Sequence, residues 1–177
     1  QFRNLCNRTI LLTIKTIERC VEMNLLSEMN FSDSPSVTLS ASPISKMIKI
    51  VATGILSAEE KDFRLLIRLN GKSESYKSFI WMKGNVPELI GEWDTTGFYL
   101  GRNGWSLDAN FTLNYTLGIL PSAQKISGSG FSVFADGHNN IIGCESHGFF
   151  ETDEEIRSIE VLFTGGKANG EVRFYEL

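Results

Sequence analysis

From Lys46 to the last residue one pattern recurs: a short run with apolar or β-branched side chains at alternate positions, then a turn. A period of two puts one set of side chains on a single face of a strand. Such a chain buries its apolar set by laying strands side by side and covering that face. The stretch FRLLIRLNGKSESYKSFIWMK carries the pattern most clearly. Phe63, Leu65, Ile67 and Leu69 alternate with Arg64, Leu66, Arg68 and Asn70, and Gly71 follows. Asn70-Gly71 tolerates the positive φ of a two-residue type I′ turn, after which Tyr76 to Met82 runs back. MIKIVATGI is a further strand, and GFYLGRNGWSLDANFTLNYTLGIL supplies two or three more, with a second turn signal at Asn103-Gly104. A strand from Gly130 to Ala135, a turn at Asp136-Gly137 and a strand from Ile141 follow. The chain closes on IRSIEVLF, the turn TGGKANG and EVRFYEL, a hairpin that points Val161, Phe163, Val172 and Phe174 to the core. Strands this short, punctuated this often, predict an all-β fold: an antiparallel β-sandwich, jelly-roll-like, over residues 46–177. No internal repeat of fixed period points to a propeller or solenoid.

Upstream the pattern changes. Residues 1–34 are expected to form a stalk or strap. Ile10, Ile14, Ile17, Val21 and Leu25 make a helical stripe, but Ile10, Leu12 and Ile14 also alternate, so a short helical or extended segment are both open over residues 9–28. Residues 35–45, rich in Ser and Pro, read as a linker. TDEEIRS, Thr152 to Ser158, is the other stretch with helical character.

A chain of 177 residues with 42% hydrophobic and 21% charged residues is long enough for a core of its own. Its formal net charge of −4 offers no basic field for nucleic acid. No apolar run approaches the roughly 20 residues of a membrane-spanning helix, so membrane insertion is not expected. Cys6, Cys20 and Cys144 are an odd set at irregular spacing, better suited to buried thiols than to a disulfide framework. Sequons at Asn7, Asn30, Asn110 and Asn114 would accept glycans in a secreted eukaryotic protein.

Few constellations carry chemistry. His138, Cys144 and His147, with Asp136, are zinc-ligand types, but their spacing matches no common zinc pattern and no metal is expected. Gly128 to Gly130 and GRNG lack the features of phosphate and dinucleotide loops, so no cofactor is expected. GEWDTTGFYLGRNGW is more informative. Glu92 and Asp94 are spaced to share one strand face, the residue types that glycoside cleavage uses as acid and base. Sugar binding by some of Trp81, Trp93, Trp105, Tyr76 or Tyr99 suits the region better, because aromatic faces stack on sugar rings and planar polar groups hydrogen-bond hydroxyls. The candidate ligand-binding residues are Trp93, Asp94, Arg102, Asn103 and Trp105.

The ending IRSIEVLFTGGKANGEVRFYEL resembles a C-terminal pattern of phage tail fibres, tailspikes and related virion appendage proteins. The matching positions are Ile156, Ile159, Val161, Phe163, Gly165, Gly166, Gly170, Val172, Phe174 and Tyr175; Glu176 stands where the family usually has Gly. FRLLIRLNGK, YKSFIW and GSGFSVF extend the likeness more loosely upstream. The resemblance implies a β-sandwich at the C-terminus of a larger virion fibre protein, acting outside the cell. It further implies a homotrimer that binds host-surface glycan, assembles the fibre, or both, with the N-terminal apolar stripe as the end of a stalk. A polysaccharide depolymerase fragment using Glu92 and Asp94, a purely structural assembly domain and a secreted lectin-like domain are the alternatives.

Overall fold

The computed structural model describes residues 23–44, 46–58, 64–85, 89–102, 108–119 and 125–177. Twelve strands and no helix occur among them. In chain order they are β1 (Asn24–Ser34), β2 (Ser36–Ile44), β3 (Met47–Ala58), β4 (Arg64–Leu69), β5 (Tyr76–Gly84), β6 (Leu89–Asp94), β7 (Phe98–Arg102), β8 (Asp108–Gly118), β9 (Lys125–Asp136), β10 (Ile141–Glu151), β11 (Ile156–Phe163) and β12 (Gly166–Glu176). They form two antiparallel sheets packed face to face. The larger runs β1-β12-β3-β8-β9-β10-β5-β6 and the smaller β2-β11-β4-β7. Early strands pair with late ones in nested order, β1 and β3 with β12, β2 and β4 with β11, and β5 with β10. The fold is therefore the expected all-β sandwich, rolled up from both ends of the described chain.

Alternation decides which side of each strand is buried. On β8, Ala109, Phe111, Leu113, Tyr115 and Leu117 face the core while Thr112 faces water. β3 and β12 do the same with Ile48, Ile50, Ala52 and Leu56, and with Ala168, Val172 and Phe174. Between those two strands Gly54 lies opposite Gly170. A Cβ on Gly170 would stand 2.7 Å from Gly54 Cα, so neither position has room for a side chain. Phe31, Phe111 and Phe163 fill the space above this bare patch, with ring centroids 5.7–5.8 Å apart.

Several local expectations come out differently. The Ser/Pro-rich stretch is strand β2, paired to β11, with Val37 and Leu39 buried. β2 is an edge strand of its sheet, the place where a sheet tolerates proline. Thr152 to Glu155 is a bend, and Ile156–Ser158 already belongs to β11; TDEEIRS is not helical. At Asn70-Gly71 the turn chemistry is right, with φ of 53° and 66° and Lys72 N–H donating to Leu69 C=O at 3.0 Å. Yet the two strands it joins lie in different sheets, so it is a corner and not a hairpin. The closing segment behaves alike. Thr164 and Gly165, the latter with φ of 69°, carry the chain from β11 in one sheet to β12 in the other, and Gly166 to Gly170 is strand. Val161, Phe163, Val172 and Phe174 are all buried as expected. Glu176 forms an ion pair with Lys46. The helix-or-strand question over residues 9–28 lies mostly outside the described residues; Asn24 to Glu28, its final part, is strand β1.

The core holds ionisable groups in their neutral forms. Burial pushes the Tyr76 phenol up to about 12 and the Cys144 thiol up to about 11. Burial likewise raises Tyr115, and Tyr99, where the Glu92 carboxylate adds to the effect. All four pKa values are higher in the folded state than in the unfolded chain. The stability they contribute is complete below the ordinary values, about 9 and 10, and falls as pH rises beyond them. Alkaline titration is expected to unfold the protein cooperatively above about pH 10, with tyrosinate absorbance of the buried phenols rising together with loss of the β circular dichroism signal. Tyrosinate appearing well before the fold is lost would contradict this.

Candidate functional site

Strand β5 turns Tyr76, Ser78, Ile80 and Met82 inward and Lys77, Phe79, Trp81 and Lys83 outward. Its neighbour β6, the edge strand, turns Gly91 and Trp93 outward. The register sets Phe79 between Trp93 on β6 and His147 on β10, and Trp81 between Gly91 and Glu145. The result is an aromatic patch centred on Phe79. Its ring centroid lies 5.3 Å from Trp93, 5.3 Å from His147 and 6.3 Å from Trp81. Trp93 is 70% exposed and Trp81 45%. The Trp81 indole reaches over Gly91, where a Cβ would meet Cζ3 at 2.7 Å, so glycine at 91 is what lets the ring extend across β6. Beyond β10 the same row continues to Phe131 on β9, which lies opposite Glu145 and is 58% exposed. Glu145 Oε1 is 3.0 Å from His147 Nε2. Large exposed rings clustered on one sheet face are what a binding surface offers, and rings beside imidazole and carboxylate groups suit a ligand with both apolar faces and hydroxyls.

The inner side of β6 is different. Glu92 and Asp94 do share one face, as their spacing predicts, and that face looks into the sandwich. Asp94 is 6% exposed and its Oδ1 accepts hydrogen bonds from Thr96 N–H at 2.6 Å and Thr96 Oγ1 at 2.8 Å. Its other oxygen pairs with the Arg64 guanidinium. Glu92 accepts from the Tyr99 hydroxyl at 2.8 Å and pairs with Arg102 at 3.1 Å. Arg64 also sits 4.8 Å over the Tyr99 ring. Both carboxylates are thus engaged by guanidinium groups, in an arrangement that ties β6 to β4 and β7.

Strand β7 is fixed from below. Tyr99 N–H donates to Ser78 Oγ at 2.8 Å, Ser132 Oγ donates to Leu100 C=O at 2.5 Å, and Ser146 Oγ donates to Tyr99 C=O. Three serines of the larger sheet thereby satisfy edge groups of the smaller one, which buried backbone requires. With β7 held against β5, β9 and β10, the carboxylate network above it holds β6, and β6 presents Trp93.

The structure does not gather the five sequence candidates at one place. Trp93 stands on the outer face, whereas Asp94 points inward and Arg102 pairs with Glu92. Asn103 and Trp105 lie outside the described residues. Sequence reasoning names Trp81 among the stacking aromatics and His147 only as a zinc-ligand type, whereas Phe79, Glu145 and Phe131 escaped it. One signal was available: in KSFIWMK the lysines at 77 and 83 share parity with Phe79 and Trp81, and lysines of a strand face water. The zinc-ligand types separate, Cys144 inward, His147 outward and His138 in the β9–β10 loop; no group of three metal-ligating side chains occurs among the described residues. Cys6 and Cys20 lie outside them. Compared with protein-family models and with curated protein sequences, the chain matches none.

Proposed function

We propose that the chain is a non-enzymatic carbohydrate-binding β-sandwich, and that the resemblance of its final strands points to the tip of a phage tail fibre or tailspike, binding host-surface glycan. The observation that carries the binding reading is the exposed cluster of Trp93, Trp81, Phe79 and His147 on the outer face. A pyranose ring offers an apolar face to an indole and hydroxyls to the polar groups around it. The carboxylate pair that a depolymerase would use supports the non-enzymatic half, since each member is engaged by an arginine on the inner side.

Glycan-array screening followed by calorimetric titration is the test. Trp93→Ala and Trp81→Ala are each expected to weaken binding at least tenfold, about 1.4 kcal/mol or more, with little change in melting temperature because both rings are solvent-facing. Unchanged affinity in both variants sinks the assignment of this face. Assembly into a trimer is a second reading, favoured by Met23, Leu25, Leu26 and Met47, all exposed near the start of β1 and β3. A trimer in sedimentation that dissociates on Trp93→Ala would give the aromatic face to assembly instead.

A further inference from the structure

The outer face has a shape that bears on what kind of saccharide it takes, granted the carbohydrate reading above. Two cross-strand rows run side by side over the same strands. One holds Trp93, Phe79, His147, Ser129 and Thr116; the other holds Gly91, Trp81, Glu145, Phe131 and Asn114. Stacking rings thus occur at two stations, the Phe79 cluster on β5 and β6, and Phe131 on β9. Trp81 and Phe131 share a row two interstrand spacings apart, about 10 Å, and Trp93 lies one spacing further off. That is more than one sugar ring can bridge. Between the stations the single acidic side chain is Glu145, 68% exposed, beside His147 at 3.0 Å. A carboxylate there accepts hydrogen bonds from hydroxyls of whatever spans the gap.

Both ends of the rows are open among the described residues. On one side β6 is the edge of the sheet, so a chain passes Trp93 and leaves. On the other the rows continue over β8 and β3 with Thr116, Asn114, Lys49 and Val51, and on to Tyr175 and Arg173 of β12. Recognition of a chain terminus needs a closed end, and among the described residues this face has none in either direction.

We propose that the face binds an internal stretch of a linear polysaccharide laid across the strands, with rings stacked at the Phe79 cluster and at Phe131 and hydroxyls held by Glu145. Binding then depends on chain length. Cello-, chito- and malto-oligosaccharide ladders, from mono- to hexasaccharide, are titrated by calorimetry against the whole chain together with the polymers of the array. Affinity in the ladder that binds is expected to rise at least tenfold between disaccharide and hexasaccharide. Phe131→Ala, a solvent-facing change, is expected to weaken the hexasaccharide about tenfold and leave the disaccharide unchanged. Glu145→Gln is expected to weaken the longer chain several-fold. Equal affinity for monosaccharide and hexasaccharide, or a hexasaccharide indifferent to Phe131→Ala, overturns the internal-stretch proposal while leaving carbohydrate binding intact. No binding by any ladder or array polymer removes the carbohydrate reading and this proposal with it.

Discussion

A chain ending at Asn169 is expected to be unfolded at every temperature, with no cooperative melt and no β-rich circular dichroism. The deletion removes most of β12, and β12 is not a tail. It lies between β1 and β3 in the larger sheet, paired on both sides, so its loss strips backbone partners from two strands at once. It also removes Val172 and Phe174 from the core, where they are 1% and 0% exposed. A buried phenylalanine truncated to alanine costs about 3–5 kcal/mol, and a buried valine contributes about 1.5–3 kcal/mol. Together with the lost pairing this matches or exceeds the whole stability of an ordinary domain, about 5–15 kcal/mol. Phe174→Ala in the full chain serves as the milder companion. It is expected to fold with a melting temperature lowered by roughly 10 °C. A truncated chain that melts cooperatively near the full-length temperature would contradict the place given to β12.

The reason the ending matters was only half visible in the sequence. Alternation in EVRFYEL identifies the buried set correctly, because parity along a strand is local information. The partner strand is not. TGGKANG looks like the loop of a hairpin, but Gly166 to Gly170 forms strand against β3, and glycine is required there by the close approach of Gly54 on a strand far away in the chain. Asn70-Gly71 makes the same point from the other side: its positive φ angles are dictated locally, while the assignment of β4 and β5 to different sheets is dictated by which faces find cover. Ser36–Ile44 looked like linker because serine and proline are poor strand formers by propensity. The burial of Val37 and Leu39 against the core outweighs that.

The candidate site follows the same division. Trp93 was legible as an aromatic in a glycine-rich stretch, and Glu92 with Asp94 as a pair on one strand face. Which face is inner depends on Arg64 and Tyr99 arriving from β4 and β7, and the cluster around Phe79 depends on the register of three strands, β6, β5 and β10. The turn-rich stretch drew attention to Asp94 and Arg102, which the fold uses internally, while Phe79 and Trp81 sit in KSFIWMK, a stretch that reads first as core.

Gly101→Ala is expected to destabilise the protein by about 2–6 kcal/mol, far more than Gly71→Ala, although both glycines have positive φ. The difference lies in what surrounds them. Gly71, at φ 66°, has open space where a Cβ would go, so alanine there meets backbone strain alone, about 1–2 kcal/mol. Gly101, at φ 152°, lies in β7 where that strand presses onto β9; a Cβ would run into the Phe134 ring and stand 2.7 Å from Ser132 Oγ. Ser132 is the residue that donates to Leu100 C=O, so relief of the clash by lifting β7 also breaks that bond and loosens those from Ser78 and Ser146. Tyr99 moves with β7, and its hydroxyl is one of the groups holding Glu92 on β6. The expected readouts are a melting temperature lowered by roughly 10 °C and, under the proposed carbohydrate binding, weaker affinity for saccharide, although Gly101 itself is buried. A loss no larger than that of Gly71→Ala would mean that β7 accommodates the methyl, and that the close seating of β7 on β9 is not what sets the position of the aromatic edge.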